Sequence, residues 1–367
     1  MKKHSFVSRL LFRFNLVTVF FTLVGYASPI VNPTTFWPLA FLGLAMPYLL
    51  LLNFIFTLYW LFRARPLFLV SLIALSLGYQ TIPKYLQVHF GQEIKTSNSL
   101  KVMSFNVRVF DLYMWTKEKT TRNQILDFLK DENPDILCLQ EFYHKDKQLK
   151  RYEFKTLDTL VKIMSAKNYH VHYTTTLRKY DHWGLITFSK FPIKNKGIVA
   201  FKNPGDNASI FSDIQVDSKV IRIYNNHLAS IKLEKRDYKT MQTINEQDYS
   251  NIFNKTIGLL EKVKGGFIKR SAQADLIEES IINSPHPVIV CGDFNDSPTS
   301  YAYRTIKGDL TDTFIESGSG LGRTYIGEFP SFRIDYIFSD TSFTSYNYQT
   351  HPEELSDHHP VSVNLAW

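Results

Sequence analysis

The sequence predicts an α/β domain preceded by three transmembrane helices. Long uncharged apolar runs fill the first 83 residues, and after residue 100 short apolar strands alternate with amphipathic helices. Several of those strands end in a polar residue. The 367-residue chain is 44% hydrophobic and contains two cysteines, so it is neither disordered nor built on disulfide bonds.

The N-terminal part is predicted to be a membrane anchor. No Asp, Glu, Lys, Arg or His occurs from residue 14 to 62, a run long enough for two helices of about 20 residues. A Pro-rich break at 28–33 divides it, and a second uncharged run covers 66–83. We therefore expect spans near 14–31, 37–62 and 66–83, which make residues 1–83 the anchor and residues 84–100 a polar tether.

Positive charge is concentrated in this N-terminal part. Residues 1–99 carry a net charge of +7 out of +8, which leaves +1 for residues 100–367. A nearly neutral globular part gives no support to a broad electrostatic grip on nucleic acid.

The basic residues also predict the topology. They precede the first span or follow the second, whereas the loop between these spans is uncharged: Lys2, Lys3, Arg9, Arg13, Arg63 and Arg65. The N-terminus is then inside, and a multi-pass protein of the inner or plasma membrane carries its globular domain on the extracytoplasmic side. A cleaved signal peptide in place of the first span is the alternative.

Helices and strands alternate through residues 101–367. We expect strands at 101–107, 136–139, 222–227, 288–291, 333–338 and 361–365, and helices at 122–131 and 274–281. A charged segment, 231–268, is predicted to be a helical insertion that breaks at Lys264-Gly265-Gly266.

Acids, amides and histidines cluster at the ends of these strands. Carboxylates that adjoin runs such as Leu-Cys-Leu and Val-Ile-Val-Cys are costly to bury as ions without a partner. A hard cation with oxygen ligands would neutralise them, so we expect Mg²⁺, with Mn²⁺ as the alternative, and no Cys/His spacing indicates zinc. The polar positions are Asn106, Glu141, His227, Asp293, Asn295, Asp335, Asp357 and His358.

These motifs, in this order, resemble the DNase I-like endonuclease/exonuclease/phosphatase superfamily, and with the anchor the chain looks like a membrane-anchored bacterial-type member. The resemblance implies a four-layer α/β sandwich, in which two mixed β-sheets pack together with helices outside. The matching segments are 102–106, 134–141, 184–189, 226–228, 292–295, 333–336 and 356–358.

The resemblance also implies roles for the polar residues. Glu141 and Asn106 would bind the metal, with Asp357 nearby or bridging through water. Asp293 would either deprotonate the attacking water or protonate the leaving oxygen, a choice that stays open at this point.

Four further residues would act on the phosphate by the same resemblance. Asn295 would donate a hydrogen bond to a phosphate oxygen, and His358 would contact the phosphate from another side. Asp335 would accept the ring N–H of His358, and His227 would stabilise the pentacovalent state.

The expected function is a membrane-anchored, Mg²⁺-dependent phosphoesterase that hydrolyses phosphate mono- or diesters by attack of water. Its partners are then the phosphate ester and the lipid bilayer. Two alternatives remain open: an extracytoplasmic nuclease acting on DNA or RNA, and a phosphatase of a lipid-linked polyprenyl diphosphate. A catalytically dead membrane binding protein is the least favoured reading, because every polar position of the superfamily is occupied.

Overall fold

The computed structural model describes residues 6–89, 98–146, 154–165, 168–203, 205–231, 249–327 and 333–367. Its helices are α1 (Phe6–Gly25), α2 (Pro33–Phe36), α3 (Pro38–Phe62), α4 (Phe68–Leu77), α5 (Thr121–Glu132), α6 (Thr156–Ile163), α7 (Tyr249–Ile282), α8 (Tyr301–Lys307) and α9 (Thr313–Ser317), with 3₁₀ turns at Tyr79–Lys84 and Arg108–Asp111. Its strands are β1 (Ser99–Asn106), β2 (Ile136–Lys145), β3 (Asn168–Leu177), β4 (Asp181–Ser189), β5 (Ile193–Val199), β6 (Ala208–Val216), β7 (Lys219–His227), β8 (Val288–Asp293), β9 (Thr311–Asp312), β10 (Asp335–Ser339), β11 (Thr344–Thr350) and β12 (Val361–Ala366).

Two N-terminal helices, not three, are long and apolar enough to cross a membrane. They are α1 and α3, with mean hydropathies of 1.6 and 2.1. The predicted third span, 66–83, is wrong as a spanning helix: α4 has only 10 residues, ends at Gly78 and continues as a 3₁₀ turn. A helix of that length measures about 15 Å, half of a hydrocarbon core.

The first span also begins earlier than predicted. α1 starts at Phe6 rather than near residue 14, so Arg9 and Arg13 lie inside the helix. Arginine is a good helix former, and its long side chain extends toward water from a helix end, so charge alone does not mark where such a helix begins.

The N-terminal helices bury polar side chains against one another. Asn15 Nδ2 donates to Ser71 Oγ at 2.5 Å, and Trp60 Nε1 donates to Asn15 Oδ1 at 3.1 Å. Asn53 Nδ2 donates to Thr22 Oγ1 at 2.7 Å. These contacts show that α1 and α3 are antiparallel and that α4 packs against both. Large apolar side chains of α1 and α3 face outward instead, among them Phe14, Phe20, Leu51, Phe54 and Leu61.

The globular part contains two mixed six-stranded β-sheets flanked by helices, as predicted. The first sheet has the order β11-β12-β1-β2-β4-β3, and the second has the order β5-β6-β7-β8-β10-β9. In each sheet one central pair is parallel, β1 with β2 and β7 with β8, and the remaining pairs are antiparallel. Parallel neighbours bring their carboxyl ends to the same edge of a sheet.

Apolar side chains from both sheets form the central core. Val102 and Ile136 of the first sheet pack with Ile223 and Ile289 of the second. α5 and α6 cover the outer face of the first sheet, and α7 and α8 cover that of the second. Both cysteines are buried free thiols in the central core, which fits their role as small hydrophobes: Cys138 and Cys291.

The predicted break at Lys264-Gly265-Gly266 is wrong, because α7 continues through it to Ile282. Val263 and Phe267, on either side of the glycines, pack against Ala40 of α3. This burial offsets the cost of about 1 kcal/mol that each helical glycine carries relative to alanine. Residues 232–248 of the predicted insertion lie outside the described residues.

The N-terminal helices lie directly against the globular part. The rings of Phe41 and Phe267 are 5.3 Å apart, and Thr299 Oγ1 donates to the Gly43 carbonyl at 2.8 Å. Within the predicted tether, residues 84–89 also lie on the domain, where His89 Nδ1 donates to the Gly318 carbonyl at 2.8 Å. Residues 90–97 of that tether lie outside the described residues.

Candidate active site

Polar residues of both sheets meet where their central parallel strands end. Asn106 ends β1, His227 ends β7 and Asp293 ends β8. Asp335 begins β10 and pairs with Asp293 across the antiparallel ladder. The fold therefore brings together side chains that are up to 229 residues apart in the sequence.

Asp293 lies at the centre of this cluster. Its Oδ2 accepts a hydrogen bond from Asn106 Nδ2 at 3.0 Å. The same oxygen is 3.7 Å from His358 Nε2 and 3.8 Å from His227 Nε2. Burial raises the pKa of Asp293, against the lowering effect of His358. A buried carboxylate with a raised pKa and cationic neighbours suits proton transfer.

Backbone geometry holds Asp293 in place. The Asn295 backbone N–H donates to Asp293 Oδ1 at 2.8 Å, and Asn295 Nδ2 donates to Asp293 Oδ2 at 3.2 Å. Gly292, just before, has φ +139°, and a Cβ there would lie 2.0 Å from the Asn226 carbonyl oxygen. Only glycine allows the two parallel strands to approach this closely at the site.

Glu141 lies where β2 departs from regular pairing. The register of β2 with β4 shifts between Leu139 and Phe142, and Glu141 has φ +49°. Such a bulge re-aims a side chain and is frequent next to active sites. Glu141 Oε1 is 3.4 Å from Asn106 Nδ2 and 3.8 Å from His227 Nε2.

The electrostatics around Glu141 are those of crowded carboxylates. Burial and, to a smaller extent, the negative charge of Asp357 raise the pKa of Glu141 to about 7, against the opposing effect of His358. Like charges held this close disfavour ionisation unless a cation neutralises them.

His358 and Asp335 form a buried hydrogen-bonded pair. His358 Nδ1 donates to Asp335 Oδ2 at 2.9 Å, which leaves Nε2 directed toward Asp293. Burial disfavours the imidazolium, but the charges of Asp335 and Asp293 outweigh it and raise the pKa of His358 well above its usual value. Tyr325 packs edge-on against the imidazole, with ring centroids 5.3 Å apart.

Two features of the site were missed by sequence reasoning. Arg108 follows Asn106 closely, and its Nε lies 3.3 Å from Asp357 Oδ2. Gln140 Nε2 donates to Asn225 Oδ1 at 2.7 Å, which joins the two sheets beneath the site. The position of Arg108, two residues after the strand-end Asn106, could have identified it from the sequence. The contact of Gln140 with Asn225 joins two sheets and leaves no local sequence pattern.

The residues predicted as metal ligands fit a hard divalent cation. Glu141, Asn106 and Asp357 offer carboxylate and amide oxygens, the ligands that Mg²⁺ prefers. The mutual repulsion that raises the Glu141 pKa is the property that a bound cation would relieve. Asn106 Oδ1 accepts only the Arg108 backbone N–H among the described contacts, at 3.0 Å, and keeps a second lone pair.

A second group of possible ligand atoms lies next to the first. One ligand atom each from Asp293, Asp335 and His358 lies within 4.8 Å of the others. One hydrogen bond, from His358 Nδ1 to Asp335 Oδ2, already occupies an atom of each of these two residues, whereas Asp335 Oδ1 is buried without a partner among the described residues.

Comparison with protein families identifies both parts of the chain. The Endonuclease/Exonuclease/phosphatase family matches residues 103–358. A family described as a domain of unknown function matches residues 8–85. None of the curated proteins matches this sequence.

Solved structures show the same fold at low sequence identity. An endonuclease/exonuclease/phosphatase from Beutenbergia cavernae is 15% identical, with 73% of this chain and 72% of that chain covered and a TM-score of 0.53. A family member from Bacteroides thetaiotaomicron is 19% identical, with 73% and 98% covered and a TM-score of 0.53. Humanized D. rerio TDP2 is 15% identical, with 74% and 100% covered and a TM-score of 0.51.

The family match covers more than half of the chain and includes every strand-end residue of the cluster. The enzyme class predicted from the sequence is therefore confirmed at the level of the superfamily. The chain belongs to the Endonuclease/Exonuclease/phosphatase family, whose members are metal-dependent phosphoester hydrolases.

Proposed function

We propose that this chain is a membrane-anchored, Mg²⁺-dependent phosphoesterase that hydrolyses phosphate mono- or diesters by attack of water. The observation that carries the proposal is the position of Asp293, whose Oδ2 lies within 3.0–3.8 Å of Asn106, His227 and His358. A proton acceptor, two imidazoles and an amide donor thus converge in one buried cluster, and His227 of this cluster also lines a cavity.

The metal would be held by Glu141, Asn106 and Asp357, and when bound it supplies positive charge that polarises the phosphate. The remaining chemistry belongs to the side chains. Asp293 accepts a proton from the attacking water, because its carboxylate is oriented by Asn295 and Asn106.

The two histidines would stabilise charge on the phosphoryl oxygens. His358 acts as an imidazolium oriented by Asp335, and His227 approaches from the second sheet beside Glu141. Hydrogen-bond donors fixed in advance around developing negative charge stabilise the transition state more than the ground state. Asn295 would add an amide donor to the phosphate by giving up one of its two bonds, to Asp293 Oδ2 or to the Leu228 carbonyl.

The packing of the N-terminal helices supports a membrane anchor. Asn15, Thr22 and Asn53 are buried between helices, while phenylalanines and leucines face outward. A water-soluble helical cluster has the opposite arrangement, and interhelical hydrogen bonds between polar side chains are typical of membrane helices. The bonds from α1 to α3 and α4 also favour a retained helix over a cleaved signal peptide.

The contacts of α3 support an extracytoplasmic domain. The domain packs on the N-terminal end of α3, at Phe41 and Gly43, whereas Arg63 and Arg65 follow its other end. Because Asn15 contacts Trp60, the arginines of α1 lie at that second end as well. Basic residues favour the cytoplasmic side. The domain would then lie outside, because α4 and the 3₁₀ turn at Tyr79–Lys84 lead the chain back to the N-terminal end of α3, where Tyr85 and Gly43 both contact Thr299.

A panel assay tests the activity. The full-length chain in lipid vesicles would be incubated with Mg²⁺ and with bis-p-nitrophenyl phosphate, duplex and abasic DNA, polyprenyl diphosphate, sphingomyelin or inositol phosphates. We expect Mg²⁺-dependent hydrolysis that EDTA abolishes and that Asp293→Asn lowers by about 100-fold or more. Absence of hydrolysis across the panel would favour a binding protein without catalytic activity.

A fusion experiment tests the topology separately. A reporter enzyme that folds only outside the cytoplasm, joined after Trp367, should be active. Activity of a cytoplasm-specific reporter at the same position would place the domain inside and contradict the proposed orientation.

A further inference from the structure

The cleft next to the catalytic cluster continues toward the membrane anchor. One cavity of about 380 Å³ is lined by Glu141 and His227, and a neighbouring cavity of about 310 Å³ is lined by residues of α7. Both cavities share Asn207 and Ser230 as lining residues. The two cavities therefore adjoin at these shared residues, and together we call them the groove; it extends from Glu141 and His227 to Ile231, which packs on the anchor.

The short segment between His227 and Ile231 limits the distance between the catalytic cluster and the N-terminal helices. From His227 to Ile231 there are four residues, which span at most about 14 Å when fully extended. Ile231 packs with Ala40 of α3 and Phe267 of α7. His227 is consequently held within about 14 Å of Ile231, which packs on α3, the helix that enters the membrane.

Hydrogen bonds from α7 fix this segment. Gln273 Oε1 accepts from the Ala229 backbone N–H at 2.9 Å, and Arg270 donates to the Ala229 carbonyl at 2.9 Å. Arg270 is itself buried and paired with Asp296 at 2.8 Å. The distance between the catalytic cluster and the membrane helix is therefore set by the fold rather than by a flexible tether.

The height of the domain above the bilayer follows from α3. The domain covers α3 up to Gly43 and Leu44, which leaves the segment to Phe62 free of it. That remainder measures about 27 Å at 1.5 Å per residue, close to the roughly 30 Å of a hydrocarbon core. The domain then rests on the headgroup layer, which is about 5–7 Å thick on each side.

The membrane end of the groove carries positive charge. Lys262 and Lys269 line the second cavity together with Glu261, which leaves its lining one net positive charge. Lys264 Nζ, paired with Glu261 at 3.3 Å, lies 5.2 Å from the centre of the Trp37 ring at the start of α3. Lysines at this level attract the anionic groups of lipids. The exposed rings of Tyr113 and Trp115 line the first cavity and suit either a nucleobase or an organic head group. These rings therefore do not discriminate between nucleic acid and lipid substrates, whereas the groove and its lysines favour a lipid.

We propose that the substrate is an amphiphilic phosphate ester resident in the bilayer. Its phosphate would reach the catalytic cluster along the groove past Asn207 and Ser230, while its hydrocarbon chain stays in the adjacent leaflet. This inference rests on the proposed phosphoesterase function and names its substrate class. A nucleic acid substrate needs neither the groove nor its continuation to the anchor.

Competition in vesicles tests the inference. The full-length protein in vesicles of a phosphate-free lipid, digalactosyldiacylglycerol, hydrolyses bis-p-nitrophenyl phosphate with Mg²⁺, and a minor fraction of phosphatidic acid is then added to the same bilayer. We expect phosphatidic acid to raise the apparent KM about fivefold or more, and glycerol 3-phosphate at equal bulk concentration to have no effect. Stronger competition by duplex DNA than by phosphatidic acid, or no competition by the lipid, would overturn the inference.

A groove variant and a matched control locate the effect. Ser230→Phe fills the junction of the two cavities. The rate of each variant with phosphatidic acid is compared with the rate of the same variant in vesicles that lack phosphatidic acid. Ser342→Phe introduces the same side chain at an exposed turn outside both cavities. Ser230→Phe should lose the lipid competition and Ser342→Phe should retain it; equal competition in both would contradict the groove.

A binding readout separates this inference from the catalytic proposal. A photoreactive phosphatidic acid should crosslink to peptides containing residues 205–207 or 261–269, and Ser230→Phe should abolish this labelling. Labelling without hydrolysis of any ester would refute the phosphoesterase proposal and retain the lipid site. Hydrolysis of the soluble ester without labelling would refute the lipid site and retain the phosphoesterase proposal.

Discussion

Replacement of Asp335 by asparagine isolates the electrostatic contribution of the His358–Asp335 pair. The side chain keeps its size, so the hydrogen bond from His358 Nδ1, 2.9 Å in the structure, can still form, but its acceptor is neutral. A hydrogen bond to a charged group contributes about 1.5–3 kcal/mol, against about 0.5–1.5 kcal/mol for a neutral one. Because both residues are buried, we expect a loss near the upper end of the difference, about 2 kcal/mol.

A loss of about 2 kcal/mol in the transition state lowers kcat/KM about 30-fold. The assay is hydrolysis of bis-p-nitrophenyl phosphate by the full-length protein at saturating Mg²⁺. Asp340→Asn is the matched control, because Asp340 follows the opposite end of β10 and its side chain accepts only the Ser342 backbone N–H among its described contacts. That control should stay within about twofold of the wild type.

A double-mutant cycle decides whether Asp335 acts through His358. His358→Ala alone should lower turnover by about 100-fold or more. Asp335→Asn in the His358→Ala background should then change the rate by less than about twofold, because the group that it orients is gone. A full 30-fold loss in both backgrounds would refute the reasoning and give Asp335 an independent role.

Three further predictions concern the metal, the pH dependence of stability and the buried ion pairs. Glu141→Gln should lower turnover by about 100-fold or more and raise the Mg²⁺ concentration for half-maximal rate, measured by Mg²⁺ titration after EDTA treatment; an unchanged Mg²⁺ dependence would remove Glu141 from the metal site. Burial lowers the pKa of His170 to about 4 in the folded state, against 6.5 in the unfolded state. Below pH 6.5 the unfolded state therefore binds more protons, and the free energy of unfolding decreases as the pH is lowered toward 4. Allowing for solvent screening, denaturant unfolding at pH 7 and pH 5 should differ by about 1–2 kcal/mol more in the wild type than in His170→Gln, and equal differences would contradict this assignment. Arg333→Met leaves the buried Asp312 carboxylate without its bidentate partner and should cost about 3–5 kcal/mol of unfolding free energy, whereas the exposed Lys202→Met should change it by less than about 0.5 kcal/mol; a comparable loss in both would show that the pair is not responsible.

The strand-end residues were predictable because their positions follow from local sequence. An apolar run that ends in a polar residue marks the end of a buried strand, and Asn106 and Asp293 follow this rule. Their proximity came from the resemblance rather than from the pattern. The two mixed sheets were predicted in the same way, and α3 begins within one residue of its expected start.

The errors occurred where tertiary packing overrides local signals. Gly265 and Gly266 are weak helix formers, yet α7 continues through them because its neighbours pack on α3. An uncharged run at 66–83 has the composition of a spanning helix, but α4 ends at Gly78. Composition reports which environment a segment tolerates and does not report the length of the helix that it forms.

The division of the site between two sheets explains why its geometry depends on residues that carry no chemistry. Asn106 comes from the first sheet and Asp293 from the second, and their 3.0 Å hydrogen bond requires the sheets to be aligned. Apolar contacts between the sheets are non-directional and tolerate small displacements, whereas hydrogen bonds do not. Gln140 donates to Asn225 across the interface, and Asn225 donates in turn to the carbonyls of Leu139 and Ile186 in the first sheet, at 3.2 and 2.9 Å. These buried amides therefore contribute directional bonds to the alignment on which the catalytic cluster depends.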